Sequence, residues 1–104
     1  MDDPAMSNTR LKVMEGIARQ KAVTALYNDQ LIKLAPHMLF ERHGELYLSA
    51  LNLSKVWRSA EERRLGQFKL AGLSEPSVLD EGFEPLPSFR PAVPRSDDTL
   101  LLAV

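Results

Sequence analysis

The 104-residue chain contains no cysteine and no long hydrophobic run. The absence of cysteine excludes disulfides, a thiolate nucleophile and a zinc site with cysteine ligands. No apolar stretch approaches the roughly 20 residues that a membrane-spanning helix needs. The first residues carry acidic rather than basic side chains, unlike a secretory signal. From the sequence we therefore expect a cytoplasmic protein with no membrane partner.

The usual motifs of catalysis are missing as well. The five glycines are isolated, so none belongs to a phosphate-cradling loop, and no Gly-x-Ser-x-Gly turn presents a serine nucleophile. The two histidines, His37 and His43, lie six residues apart with Glu41 and Glu45 nearby. That spacing matches no known zinc helix or finger and is more typical of polar residues near a turn. We expect no enzyme activity, no metal and no cofactor.

Charge is unevenly distributed along the chain. Residues 1–74 hold 11 basic and 8 acidic side chains, an excess of +3, whereas residues 75–104 hold 2 and 6, an excess of −4. A weakly positive body with an acidic tail can bind an anion, or its two parts can neutralise each other. The second interpretation is favoured, because an excess of three charges is far below that of a typical nucleic-acid-binding domain.

Hydrophobic periodicity predicts one helix followed by short strands. Apolar residues at helical spacing begin after Thr9, a candidate N-cap, and residues 1–8 are predicted to be a flexible lead-in. Pro36 marks a bulge, a bend or an edge in the second strand, and residues 54–64 form either a long excursion or one or two charged helical turns. The predicted strands are residues 22–27, 31–42, 46–53, 67–70, 77–79 and 99–104.

A helix followed by four to six bent antiparallel strands favours a mainly β fold that closes on itself as a small, partly open barrel. Five of the seven prolines lie between Pro76 and Pro94, so regular structure should be sparse there. The terminal run Thr99–Val104 is apolar and should dock as a strand, because an exposed Leu100-Leu101-Leu102 segment would promote aggregation.

One stretch, residues 55–69, has the composition of an anion-binding surface. Cations and aromatic residues alternate there: Lys55, Trp57, Arg58, Arg63, Arg64, Phe68 and Lys69, against Glu61 and Glu62. Bases stacking on aromatic side chains beside cations is how single strands are bound without sequence readout. The simpler alternative, which we favour because only one exposed aromatic is evident, is that Trp57 covers a hydrophobic edge while the charges solvate a loop.

An ordered series of positions also runs from Ala22 to Pro85, about two-thirds of the chain. It contains a strand ending in Tyr27, then Leu34, Pro36 and Leu39, then Gly44, Leu46, Tyr47 and Leu48, then Phe68, Leu70 and Leu73, and finally Phe83-Glu84-Pro85. In order and spacing this series resembles the WYL domain, with Leu46 in the place of the tryptophan of the family motif.

The resemblance implies a barrel of the SH3-like or Sm-like type. It divides the chain into a flexible lead-in at residues 1–8, a WYL-like barrel with its N-terminal α-helix at residues 9–85, and a Pro-rich segment with a docking strand at residues 86–104. Such domains usually belong to bacterial transcription regulators, behind a winged helix-turn-helix, where the barrel senses a nucleotide or nucleic-acid ligand and mediates dimerisation. The two pocket arginines of the family would fall at Ile32 and Gly72, with Lys33 one residue away on the opposite face of a strand.

Two hypotheses follow for the function. The first is a non-enzymatic ligand-sensing or regulatory module that binds a nucleotide or single-stranded nucleic acid through Lys33, Tyr47, Arg63, Arg64 and Lys69. The second is a protein–protein interaction module that has lost ligand binding and pairs with itself, as a homodimer, or with a larger regulator protein. The apolar C-terminal strand, which could add to a sheet edge, motivates the second.

Overall fold

Helix α1 spans Pro4–Arg19 in the computed structural model, which describes residues 4–104. Proline suits the first helical position because its missing N–H has no partner there in any case. The prediction of an N-cap at Thr9 is wrong: Thr9 lies within the helix, is buried, and donates its hydroxyl to the Leu73 carbonyl at 3.5 Å. Residues 1–3 of the predicted lead-in lie outside the described residues. No helix in residues 4–104 is long and apolar enough to cross a membrane.

Six antiparallel strands follow the helix in one sheet that is not closed. Their order is β4-β3-β2-β1-β5, and β6 pairs with β2. The strands are β1 Lys21–Tyr27, β2 Gln30–Arg42, β3 Glu45–Asn52, β4 Leu65–Lys69, β5 Leu73–Gly82 and β6 Thr99–Ala103. The predicted mainly β fold with an N-terminal helix is confirmed, and the expected partly open barrel takes the form of one six-stranded sheet that is not closed.

Strand β2 organises the sheet because it is long enough to pair with three neighbours. Its first residues pair with β1, residues 34–42 pair with β3, and residues 38–41 pair with β6. The register with β3 shifts between Pro36 and Met38, which leaves His37 as the extra residue of a bulge. Proline has no N–H to donate to the ladder, so the expected bulge at Pro36 is confirmed.

Residues 53–64 form a long excursion that contains one 3₁₀ turn, Ala60–Glu62, so of the two alternatives the loop is the observed one. A second 3₁₀ turn, Leu70–Gly72, leads into β5. Strand β5 starts four residues earlier than the predicted strand at Ser77 and includes Pro76. Proline is tolerated there because β5 lies at the edge of the sheet and its N–H side needs no partner.

Two hydrophobic clusters hold these elements together. In the larger one, Val13 and Ile17 of α1 pack over the sheet against Leu34, Leu39 and Leu48. The smaller one lies beside the Pro-rich segment and consists of Ala35, Leu51 and Leu86, with further apolar side chains packed against it: Leu53, Trp57, Leu65, Phe83 and Phe89. The smaller cluster therefore joins the loop between β3 and β4 to the chain that follows β5.

Candidate functional site

The loop between β3 and β4, residues 53–64, is fixed at its base by hydrogen bonds. The Leu53 N–H donates to the Lys33 carbonyl at 2.7 Å, and the Lys33 N–H donates to Ser54 Oγ at 2.9 Å. The Trp57 indole N–H donates to the Asn52 carbonyl at 3.1 Å. These bonds hold Trp57 against the sheet and direct the cations that follow it to the surface.

A groove of about 430 Å³ runs along this loop, and we call it the loop groove; it is lined by Lys55, Val56, Trp57, Arg58, Glu62 and Arg64. The Lys55 ammonium lies 4.5 Å from the centre of the Trp57 ring. Val56 beside it is 93% exposed. Within residues 4–104, no carboxylate forms an ion pair with Lys55, Arg58 or Arg64. The groove thus offers three cations that form no ion pair with a carboxylate of the described residues.

Arg63 lines an adjacent cleft rather than the loop groove. Its Nε–H donates to the Ala60 carbonyl at 3.4 Å. The cleft, about 440 Å³, lies between the 3₁₀ turn and the Pro-rich segment; Arg63 and Arg64 line one side, and Leu86 and Ser88 the other. Arg64 borders both cavities, so the predicted pair Arg63 and Arg64 is brought together at this end of the sheet.

Tyr47 and Lys69 lie together at the opposite end. They are direct partners in the β3–β4 ladder, and both contact Glu45. Lys69 Nζ is 2.8 Å from Glu45 Oε2, and the Tyr47 hydroxyl donates to the same oxygen at 3.5 Å. The hydrogen bond between Lys69 and Glu45 lowers the pKa of Glu45 and raises the pKa of Lys69. The Tyr47 ring stacks on Phe40, with centroids 5.6 Å apart.

The cleft beside this pair is electrically balanced. It measures about 320 Å³, lies between α1, the β2–β3 turn and β4, and includes Leu46 of the WYL-like motif. Its charged lining consists of two cations, Arg10 and Lys69, and two carboxylates, Glu41 and Glu45. We call it the helix cleft. Its mixed charge suits an anionic ligand less well than the loop groove does.

The five predicted binding residues are therefore divided among three places. Lys69 lies four positions beyond Leu65 on β4, which at the rise of a strand is about 13 Å, so Arg64, directly before β4, and Lys69 lie at its opposite ends. The Lys33 side chain joins neither the Arg63 and Arg64 pair nor the Tyr47 and Lys69 pair. Its Nζ instead binds both carboxylate oxygens of Glu81, at 3.0 and 3.2 Å.

Of the two positions where the family arginines would fall, Ile32 faces the interior and Gly72 is exposed. Ile32 is buried and belongs to the larger hydrophobic cluster. A Cβ at Gly72 would lie 3.4 Å from the Tyr27 ring. A guanidinium at position 32 would therefore have to enter an apolar cluster, which is costly without a paired charge.

The histidines are separated rather than paired. His37 is fully buried in the β2 bulge, with Nδ1 2.8 Å from the Ala35 carbonyl oxygen and Nε2 accepting the Leu86 N–H at 3.0 Å. Burial lowers its pKa. His43 is exposed at the β2–β3 turn, 3.2 Å from Asp97. The described part of the chain contains no cluster of three or more acidic or histidine side chains that could hold a metal ion.

Sequence reasoning missed one further polar pair. Arg42 binds both carboxylate oxygens of Asp98, at 2.8 and 2.9 Å, and the Asp98 side chain is fully covered. The Arg95 N–H donates to the same carboxylate at 3.0 Å. These bonds lower the pKa of Asp98, with the Arg42 hydrogen bond as the largest cause. The partners lie 56 residues apart, so no local pattern links them.

Comparisons with known proteins relate the chain to others by fold alone. No protein-family model matches it, and no curated protein matches its sequence. Among solved structures it is similar to proteasome accessory factor B/C (PafBC) of Arthrobacter aurescens, with a TM-score of 0.64 and 19% sequence identity. The match covers 79% of this chain and 13% of the PafBC chain, so this chain corresponds to a small part of that protein. The likeness shows that the two chains share a fold over that part.

Proposed function

We propose that the chain is a non-enzymatic regulatory module that binds the phosphates of a nucleotide or of single-stranded nucleic acid at the loop groove. The observation that carries the proposal is the set of three cations, Lys55, Arg58 and Arg64, without carboxylate partners in residues 4–104, beside the single tryptophan of the chain. Arginine supplies a planar fork that matches a phosphate, and Trp57 supplies an adjacent aromatic surface.

Charge distinguishes the loop groove from the other cavities. Residues 53–64 hold four basic and two acidic side chains, a net charge of +2. In the helix cleft each cation is matched by a carboxylate, and Lys69 is already bound to Glu45 at 2.8 Å. A phosphate approaching Lys69 would have to displace that carboxylate, whereas a phosphate approaching Arg58 or Arg64 displaces only water. We therefore assign the ligand to the loop.

A regulatory role draws support from the fold. PafBC is a transcription regulator with a WYL domain, and the part of it that resembles this chain amounts to 13% of its length. The ordered series from Ala22 to Pro85 points to the same class of domain. The short coverage of PafBC means that its activity as a whole protein is no part of this proposal.

The proposal is tested by fluorescence anisotropy with a labelled single-stranded oligonucleotide of ten bases. Three phosphate contacts predict a salt slope of about −2 for log K against log salt, or about a 20-fold loss of affinity between 50 and 200 mM salt. A labelled mononucleotide in a second titration distinguishes the two forms of ligand, because it can neutralise fewer cations. Emission from Trp57 gives a label-free readout of the groove.

Charge-matched variants locate the site. Arg58→Ala and Arg64→Ala are each expected to weaken binding and to reduce the salt slope by about 0.7. Two control variants each remove one positive charge outside the groove. Lys69→Ala removes it about 13 Å away along the sheet, and Lys33→Ala removes the cation that pairs with Glu81. Both variants should leave the salt slope unchanged. Equal losses in all four variants would indicate unspecific attraction, and no binding at low salt would refute the proposal.

A second function has its own supporting observation, in β6. Leu100 and Leu101 are 42% and 45% exposed, β6 carries no charged residue, and within the described residues it pairs with β2 alone. An uncharged edge strand readily adds a strand from another molecule. In this alternative the chain is an interaction module that forms a homodimer or joins a regulator protein.

Light scattering at high protein concentration tests the alternative. A dimer that Leu101→Lys abolishes would support it, because a charge on the strand opposes pairing. Leu31→Lys is the matched control, since Leu31 is more exposed but lies in the β1–β2 hairpin, away from β6. A monomeric mass at all concentrations, with no protein retained in a pull-down, would refute the interaction module.

A further inference from the structure

His37 occupies an unusual position for a titratable group. It is the extra residue of the β2 bulge and has no exposed surface. Its Nε2 lies 3.0 Å from the Leu86 nitrogen, and because a backbone N–H can only donate, Nε2 must be the acceptor. Nδ1 then carries the proton and donates to the Ala35 carbonyl at 2.8 Å. The contacts thus fix one tautomer of the neutral ring.

The partner of His37 belongs to a segment that is otherwise held by apolar contacts. We call residues 83–89 the strap. Its first residue, Phe83, donates its N–H to the Gln20 carbonyl at 3.1 Å, and the Phe89 N–H donates to the Leu86 carbonyl within the strap at 2.9 Å. From residue 84 onward, the hydrogen bond of Leu86 to His37 is the one such bond between strap and sheet among the described residues.

Aromatic side chains of the strap pack around this hydrogen bond. The rings of Phe83 and Phe89 lie 5.3 and 5.2 Å from the His37 ring, and they enclose it. The Leu86 side chain, 7% exposed, enters the smaller hydrophobic cluster, against which Trp57 also packs. A change at His37 Nε2 therefore reaches the contacts of Trp57 through Leu86.

We propose that His37 is a latch for the strap: a second proton on its imidazole replaces the acceptor at Nε2 with a donor, breaks the bond to Leu86 and releases the strap from the sheet. In the closed state burial lowers the pKa of His37, whereas a released, solvated imidazole titrates near its ordinary value of about 6.5. Proton binding is therefore stronger in the released state, so release is favoured as the pH falls below about 6.5.

No charged side chain contributes to the shift of His37, whose causes are burial and the Ala35 bond. Val104, directly after β6, donates its N–H to the His37 carbonyl, and β6 itself carries no charged side chain. The charged groups on the surrounding elements are Arg10, Lys12, Glu15 and Arg19 on α1, Lys21 on β1, Lys33, Glu41 and Arg42 on β2, Glu45 on β3, Glu75, Asp80 and Glu81 on β5, and Glu84 and Arg90 in and after the strap. The pKa of His37 in the closed state is thus governed by burial, which lowers it, and by the Ala35 hydrogen bond, which raises it.

The latch bears on the candidate binding site because the strap forms a wall of the cleft adjacent to the loop groove. Leu86 and Ser88 line the cleft opposite Arg63 and Arg64. Release of the strap removes that wall, so the latch would regulate the surface beside the loop groove. This last step rests on the proposed function, whereas release itself does not.

The chain contains only two histidines and one tryptophan, so the NMR and fluorescence signals of His37 and Trp57 can each be assigned directly. Imidazole NMR spectra of the full chain, recorded from pH 7.5 to 4.5, report the tautomer and titration of each histidine separately. We expect the Nδ1–H tautomer of His37 at pH 7.5. As His37 titrates, the Leu86 amide resonance should shift and Trp57 emission should move to the red at the same midpoint, while the far-ultraviolet circular dichroism of the sheet is retained.

His37→Gln provides an acceptor near the position of Nε2 that does not titrate in this range. It should keep the emission of the closed state and lose the pH transition of Trp57. His43→Gln is the matched control, since it removes the exposed histidine and should leave the transition unchanged. If His37→Gln does not fold, the Leu86 amide shift of the wild type decides alone.

Three results would overturn the latch: an Nε2–H tautomer at neutral pH, a Leu86 amide that does not respond as His37 titrates, or loss of the whole fold at the same midpoint. Oligonucleotide anisotropy at pH 7.5 keeps the two proposals apart. Binding without a His37-linked transition overturns the latch alone, and a transition without binding overturns the proposed function alone.

Discussion

Replacing Gly16 with alanine is expected to destabilise the protein, although it removes a glycine from the middle of a helix. A Cβ at this position would lie 2.6 Å from Val23 Cγ2 and 3.1 Å from both the Lys21 carbonyl oxygen and Pro36 Cγ. Val23 is 1% exposed and stiff at χ1, so its methyl group has no space into which it can move. The other two neighbours belong to the backbone and to a proline ring.

Two opposing effects set the size of the change. Alanine is favoured over glycine by about 1 kcal/mol in a helix interior. Forcing an extra methyl group into a packed core costs about 1 to 3 kcal/mol, and a contact of 2.6 Å belongs in the upper half of that range. The net loss should be about 1 kcal/mol in the free energy of unfolding, which lowers Tm by about 4 to 8 °C in a domain of this size.

Urea and thermal denaturation followed by circular dichroism measure the loss. Ala18→Gly, at an exposed position of the same helix, is the matched control and should cost about 1 kcal/mol through propensity alone. If Gly16→Ala stabilises the protein by as much as Ala18→Gly destabilises it, the close approach of α1 to β1 and β2 is refuted.

Three further predictions concern single contacts. Because Arg42 lowers the pKa of Asp98, the stability that this carboxylate contributes is complete above about pH 4 and is lost as the pH falls through the pKa of Asp98 in the folded protein. In urea denaturation, the stability of Asp98→Asn should therefore depend less on acid pH than that of the wild type. Leu86→Ala should cost about 2 to 5 kcal/mol in the same assay and shift Trp57 emission to the red, and an unchanged spectrum would contradict the shared cluster. Gly44→Ala should cost about 1 kcal/mol from its φ of +78° alone, since a Cβ there has no neighbour within 4 Å, and a loss below about 0.3 kcal/mol in thermal denaturation would contradict this.

Local patterns predicted the elements of this fold well, because apolar runs bounded by turn residues, such as those that became β2 and β3, mark strands even where both faces are buried. They failed where a distant contact sets the boundary. Thr9 resembles an N-cap in sequence, yet the hydroxyl bonds to Leu73 on β5 and the helix continues to Pro4. Strand β5 begins early because an irregularity at Glu75, whose φ is +49°, lets the chain re-enter the register with β1.

The candidate site was harder to predict than the fold, because its residues come from both ends of a hairpin. Arg64 and Lys69 are five positions apart in the sequence, a spacing that suggests a single cluster of cations. An extended strand separates them instead, and Lys69 turns to Glu45. Nothing in the sequence indicated that His37 would bond to Leu86, 49 residues later, because only the fold brings the bulge of β2 next to the strap.

The uneven charge of the chain has a structural resolution that bears on function. The acidic C-terminal part neutralises cations on the sheet: Glu81 binds Lys33, and Asp98 binds Arg42. These pairs remove positive charge from the sheet but not from residues 53–64, whose net charge of +2 stays at the surface. Self-neutralisation therefore accounts for Lys33 and Arg42 on the strands. It does not extend to the loop, where no carboxylate of the described residues forms an ion pair with Lys55, Arg58 or Arg64, and this difference is the basis on which we propose the loop as the place for an anion.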